Sequence, residues 1–187
     1  MSGSPPLLEI PAAAERLRAG AVLAYPTESC YGLGCDPANR EAVARIWSLK
    51  GRDPGQGLIL VGGAWGHLAP YWAGLPGRVH RLLRAAWPGP VTFLLPPSGS
   101  VPDWITGGQP RIALRWSAHP ATAALCRAFG GALVSTSANR HGEPAARSTG
   151  EVTAALGGGV DGMVRGALGR RRAPSAIVDP VAGERLR

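Results

Sequence analysis

The chain has 187 residues, 45% of them hydrophobic, which suits one domain with a real core; its 27 glycines and 18 prolines fall between apolar runs as punctuation. A formal charge of +8 points to an anionic partner: a nucleotide, another polyphosphate or nucleic acid. No apolar run approaches the ~20 residues of a membrane span and the N-terminus does not read as a secretory leader, so a cytoplasmic protein is expected, with no membrane partner.

Taken in order, residues 1–9 read as a loose or edge segment. Pro11 to Ala19 reads as a helix with proline at its first position and Gly20 as its stop. A strand from Ala21 to Tyr25 then delivers Pro26-Thr27-Glu28-Ser29-Cys30 and the glycine-bearing stretch Tyr31 to Gly34. This stretch is expected to form a strand-to-helix ligand mouth, with Gly32 and Gly34 allowing unusual backbone angles and close approach of a ligand. Asp36-Pro37 makes a turn, and Asn39 caps a helix that places Val43, Ile46, Trp47 and Lys50 on one face, with Gly51 as its stop.

Leu58 to Val61 is continuously apolar, as in a strand covered on both faces. Trp65 to Trp72 has room for one helical turn. A helix follows from Pro76 to Trp87 with Val79, Leu82, Leu83 and Ala86 inward and Arg78, Arg81 and Arg84 outward. Val91 to Leu95 is a strand, Pro96 to Gly108 a long loop, and Arg111 to Trp116 a strand alternating Ile112 and Leu114 against Arg111, Ala113 and Arg115. A helix from Pro120 to Phe129 leads to a short strand, Ala132 to Val134, which presents Ser135 to Asn139 as a loop. Ser148 and Glu151 fit a capping box for a helix through Leu156. Strands at Val160 to Arg165 and Ala176 to Asp179, with Arg185 to Arg187 as an extension, complete an α/β fold on a mixed open sheet. Ligands are expected beyond the carboxyl ends of the strands, near Thr27 and Ser137.

Cys30, Cys35 and Cys126 have no paired spacing and the four histidines are scattered, so neither a disulfide framework nor a protein metal site is expected. Nineteen of the twenty basic residues are arginine; Lys50 is the single lysine, a compact point charge suited to a phosphate oxygen. No Walker-type phosphate loop or hydrolase nucleophile elbow is present.

Several of these stretches together resemble the YrdC-like family in its short, single-domain form, nearly end to end. They are Pro26-Thr27-Glu28 with Tyr31 to Gly34, Lys50-Gly51-Arg52, Leu58-Ile59-Leu60, Trp87 to Thr92, Ala113-Leu114-Arg115 with His119-Pro120, Ser135 to Asn139, and Pro174-Ser175. The resemblance implies a twisted open sheet with a basic concave face, spanning residues 1–187 as one domain. It implies a nucleotidyltransferase that condenses L-threonine, bicarbonate and ATP to threonylcarbamoyl-AMP and pyrophosphate for tRNA modification. Lys50, Arg52, Ser137 and Asn139 would serve catalysis and ATP binding, with Arg187 also reaching the nucleotide. Thr27, Ser29, Arg115, Ser135 and Ser175 would face threonine. Mg²⁺ would arrive mainly on ATP, and transfer to tRNA would fall to proteins of the TsaD, TsaB and TsaE kind.

The chain departs from the family pattern at Ser29, where threonine is common, and at Asp53, which replaces a frequent proline and sets a carboxylate near the phosphates or a Mg²⁺ ion. The rival reading is an RNA-binding or ribosome-assembly module with a basic cleft, against which no basic run interleaves with aromatics; the one cluster, Arg170-Arg171-Arg172, falls in an expected loop that would touch tRNA or a partner protein.

Overall fold

The structure, a computed structural model, describes residues 4–186. Its strands are β1 (Leu7–Leu8), β2 (Leu23–Pro26), β3 (Tyr31–Gly34), β4 (Ile59–Gly62), β5 (Val91–Leu95), β6 (Ile112–Trp116), β7 (Leu133–Ser137), β8 (Gly162–Val164), β9 (Ala176–Asp179) and β10 (Glu184–Arg185). They form one mixed sheet in the order β1-β8-β2-β3-β7-β4-β6-β5-β9-β10. The helices are α1 (Ile10–Arg18), α2 (Arg40–Lys50), α3 (Trp65–Leu68), α4 (Gly77–Ala86), α5 (Asp103–Thr106), α6 (Pro120–Phe129) and α7 (Thr149–Leu156). Among the described residues no helix is long and apolar enough to cross a membrane.

Local chemistry accounts for the helix ends. Asn39 Oδ1 accepts from Ala42 N at 3.0 Å at the start of α2, and Gly51 closes it in the left-handed region at φ 58°. Replacing Asn39 with Ala should cost about 1 kcal/mol, read as a lowered melting temperature with threonine and ATP binding unchanged. Pro120 sits in the first turn of α6 and Gly130, at φ 93°, ends it. Ser148 Oγ accepts from Glu151 N at 3.2 Å at the start of α7, while Glu151 Oε2 accepts from Arg147 N, one residue before the position a full capping box would use. In α4, Val79 and Leu83 are buried but Leu82 is 44% exposed, so the apolar stripe is narrower than predicted.

Three segments differ from the sequence reading because long-range pairing decides them. Tyr31 to Gly34 is a strand pairing with both β2 and β7, not the loop leading to a helix. Neither Gly32 nor Gly34 has a positive φ. They are small because Tyr25 lies across them: a Cβ on Gly32 would sit 2.9 Å from the Tyr25 ring, and one on Gly34 only 2.0 Å from Val134 O. Ser135 to Ser137 continue β7 instead of leaving it as a loop, paired to β4 at Ser135 and to β3 at Ser137. The predicted loop Pro96 to Gly108 contains α5, whose Ile105 is fully buried beside β6.

The two sheet faces are filled differently. One carries the larger core, where Leu33, Leu60, Leu114 and Val134 meet Val43 and Ile46 of α2. The opposite face carries Leu23, Tyr25, Val61 and Leu133 against Ala13 and Leu17 of α1 and Leu125 of α6. These two helices cover only part of it. Further along the same alternation, small and polar side chains replace the apolar ones, and the face is left open.

Candidate active site

A cavity of about 540 Å³ occupies that open part of the face. Its floor is a register row: Ser135 is opposite Ile59, Ile59 opposite Ala113, and Ala113 opposite Leu94, while Gly32 is opposite Ser137. All six residues line the cavity. Gly32, Ala113 and the two serines are short, so the sheet surface itself becomes the floor. The expected placement beyond the strand ends therefore gives way to a site on the sheet face, because no helix covers these strands there.

Arg115 enters this cavity from β6, with Thr27, Ser29, Ser135 and Ser175 around it. The Thr27 hydroxyl donates to Cys30 O at 2.7 Å, which ties the mouth turn, and Ser175 Oγ lies 3.0 Å from Thr92 Oγ1. Arg115 donates to Glu28 Oε2 at 3.3 Å, and its Nε is buried with no hydrogen-bond partner among the described residues. A buried donor without a partner is costly, so this side of the cavity favours an anion. The five residues predicted to face threonine are thus brought together.

The predicted nucleotide residues divide. Arg52 and Ser137 line the cavity. Arg52 lies 5.6 Å from the centre of the Trp47 ring and donates through Nε to Gln56 Oε1. Lys50, only 3% exposed, is turned behind the wall and donates to Ser137 O at 2.6 Å, Asn139 O at 2.9 Å and Asn139 Oδ1 at 3.0 Å. Its three ammonium protons are matched by three oxygens. Asn139 spends its amide on Lys50 and on Glu143 O, so it shapes the turn after β7 and does not line the cavity. Asp53 accepts from Gly55 N at 2.9 Å and caps the 3₁₀ turn Pro54–Gln56, which gives this departure from the family pattern a local use. Arg187 lies outside the described residues.

Sequence reasoning missed several lining residues. Arg111 shares the β6 face of Ala113 and Arg115, lines the cavity, and pairs with Asp179 at 3.1 Å; the alternation of β6 already placed it there. Ile105 and Leu186 come from segments read as a loop and as a terminal extension, Gln56 from the stretch between Gly51 and Leu58 to which no element was assigned, and no periodic signal marked them. The wall therefore combines guanidinium groups and hydroxyls with apolar surface. That chemistry holds and orients anions joined to a less polar body.

A family model described as telomere recombination, covering the Sua5, YciO and YrdC proteins, matches residues 15–187. The chain belongs to this family. Among its relatives, a threonylcarbamoyl-AMP synthase from Halorhodospira halophila is 50% identical over 94% of this chain and 92% of its own length. Another from Alkalilimnicola ehrlichii is 48% identical over 97% and 96%. Among solved structures, P. abyssi Sua5 complexed with L-threonine is 33% identical with a TM-score of 0.85, covering 92% of this chain, which spans about half (51%) of that Sua5. E. coli YciO is 27% identical with a TM-score of 0.81, over 96% of this chain and 90% of its own. The α/β architecture expected from the sequence is thus the Sua5/YciO/YrdC fold.

Proposed function

We propose that this chain is a threonylcarbamoyl-AMP synthase, a nucleotidyltransferase acting on L-threonine, bicarbonate and ATP. The observation that carries the reading is one cavity lined by Arg115, Arg52 and the hydroxyls of Thr27, Ser29, Ser135 and Ser175, in a chain about half identical to synthases over nearly its whole length. Arg115 takes the threonine carboxylate; Thr27, Ser29, Ser135 and Ser175 surround the rest of the amino acid.

The threonine amine adds to the carbon of bicarbonate, and water leaves to give a carbamate. A carbamate oxygen then attacks the α-phosphorus of ATP; the bond to the β-phosphate oxygen breaks and pyrophosphate departs. No protein nucleophile is needed. The work is positioning two anions and stabilising charge that moves onto the leaving group. Arg52 and Ser137 face the phosphates. Lys50 and Asn139 hold the turn that carries Ser137, and Lys50 adds positive charge behind it. Mg²⁺ would arrive on ATP and neutralise part of its phosphate charge, as an ion that keeps most of its waters and takes substrate phosphates as ligands. The family resemblance also assigns Arg187, outside the described residues, to the nucleotide. The product passes, in the cytoplasm, to transfer proteins of the TsaD, TsaB and TsaE kind.

The test is pyrophosphate release by purified protein with ATP, Mg²⁺, threonine and bicarbonate, with each substrate omitted in turn. Release that needs threonine and bicarbonate supports the reading. No release from folded protein, with RNA binding that falls as salt rises, would favour the RNA-binding alternative instead. Arg115→Ala should raise the threonine KM by about 30-fold, the scale of one charge-assisted hydrogen-bonding fork, and leave the ATP KM within about two-fold.

A further inference from the structure

One side chain at the cavity has no task in this scheme although the structure commits it heavily. Glu28 is not part of the cavity wall; its carboxylate lies behind Arg115, and the two side chains are 12% and 11% exposed. Oε2 accepts from Arg115, while Oε1 accepts from Ser117 Oγ at 2.8 Å and from Ala118 N at 3.2 Å. Burial raises the Glu28 carboxyl, but the Arg115 charge and the Ser117 hydroxyl outweigh it and hold the group below its usual range, so it is anionic. A carboxylate held so is a poor base.

Its main chain reaches a third segment. Glu28 O accepts from Arg171 N at 3.0 Å, and the neighbouring Thr27 O accepts from Gly169 N at 2.9 Å. The approach is close enough that a Cβ on Gly169 would lie 2.4 Å from Glu28 O. Glu28 thus ties the mouth turn both to the end of β6, which carries Arg115, and to the segment that runs on to Ser175. An arginine at the edge of an open cavity has many rotamers to lose on binding, and a fixed fork loses less.

We infer that Glu28 is a positioning residue for amino-acid recognition: it aims the Arg115 guanidinium at the substrate carboxylate. The inference rests on the synthase reading and on Arg115 as the carboxylate's partner.

The experiment is a double-mutant cycle on the full chain, using Glu28→Gln, Arg115→Ala and the pair, read by calorimetric binding of L-threonine and by KM for threonine and ATP. Glu28→Gln keeps the shape and an accepting oxygen but removes the charge. It should weaken threonine about ten-fold with the ATP KM unchanged, and add nothing in the Arg115→Ala background, because it acts through Arg115. Glu28→Asp should restore part of the loss. Equal losses in both backgrounds, or matched losses for threonine and ATP with a lowered melting temperature, would make Glu28 a fold residue only and overturn the inference. Unchanged threonine binding in Glu28→Gln would overturn it too. Wild-type protein that neither binds threonine nor releases pyrophosphate removes the synthase reading and the inference with it; wild-type activity with an additive cycle removes the inference alone.

Discussion

Lys50→Met is expected to abolish most turnover and to lower stability together. The ammonium is the shared donor for Ser137 O, Asn139 O and Asn139 Oδ1, and the end of α2 is tied to the same turn by His141 N donating to Lys50 O at 2.7 Å. Met keeps most of the bulk but leaves three inward-facing oxygens without their donor. The cost should be about 2–4 kcal/mol, or roughly 5–15 °C in melting temperature for a chain of this size. Turnover should fall by about 100-fold or more, because the wall that carries Ser137 loses its anchor and the phosphates lose a nearby charge. Thermal melting alongside pyrophosphate release decides the assignment. Lost activity with an unchanged melting temperature would mean that Lys50 leaves these oxygens to meet the substrate directly.

The same ammonium sets a pH dependence. Burial, with the charge of Arg52 adding to it, pushes Lys50 down from its ordinary 10.5 to about 8, even with three oxygens accepting from it. A neutral amine has two N–H groups for three acceptors, so activity should decline as pH rises through about 8. Stability runs the other way. Between about 8 and 10.5 the unfolded chain holds the Lys50 proton and the folded chain does not, so this group's contribution to stability rises with pH across that window. Opposed trends in activity and stability distinguish Lys50 from a surface lysine, which would move neither.

Gly34→Ala should be the most damaging single methyl added to the sheet. Its Cβ would lie 2.0 Å from Val134 O and 3.0 Å from the Tyr25 ring, and β3 is held on both sides by β2 and β7. Backbone must shift, at a cost of about 3 kcal/mol or more, with loss of soluble protein as the visible result. Gly32→Ala meets only side-chain atoms, the nearest at 2.9 Å, and should cost less. Gly66→Ala meets nothing within 4 Å and serves as the neutral control. Equal melting temperatures for the Gly34 and Gly66 variants would show that the sheet can open at β3 without penalty.

By itself the sequence determined the elements whose causes are local. Asn39 and Gly51 bound α2, Pro120 and Gly130 bound α6, and the alternation of Ile112 and Leu114 sends Arg111, Ala113 and Arg115 to one face of β6. It also supplied the residue types of the site, since Arg115, Arg52 and the hydroxyls of the resemblance line one cavity. Only the tertiary structure decided what those residues face. Tyr31 to Gly34 became a strand because β2 and β7 flank it, and its glycines answer to Tyr25, which precedes them in the chain but lies on them in space. Lys50, Asp53 and Asn139 carry donors and acceptors that either a phosphate or the protein could use, and the fold gave them protein partners. Glu28 and Arg115 are eighty-seven positions apart, and their pairing exists only once β6 and the mouth turn meet. Helix caps and strand alternation act over a few residues and can be read along the chain; strand neighbours and ion partners depend on contacts between distant segments, which no local pattern encodes.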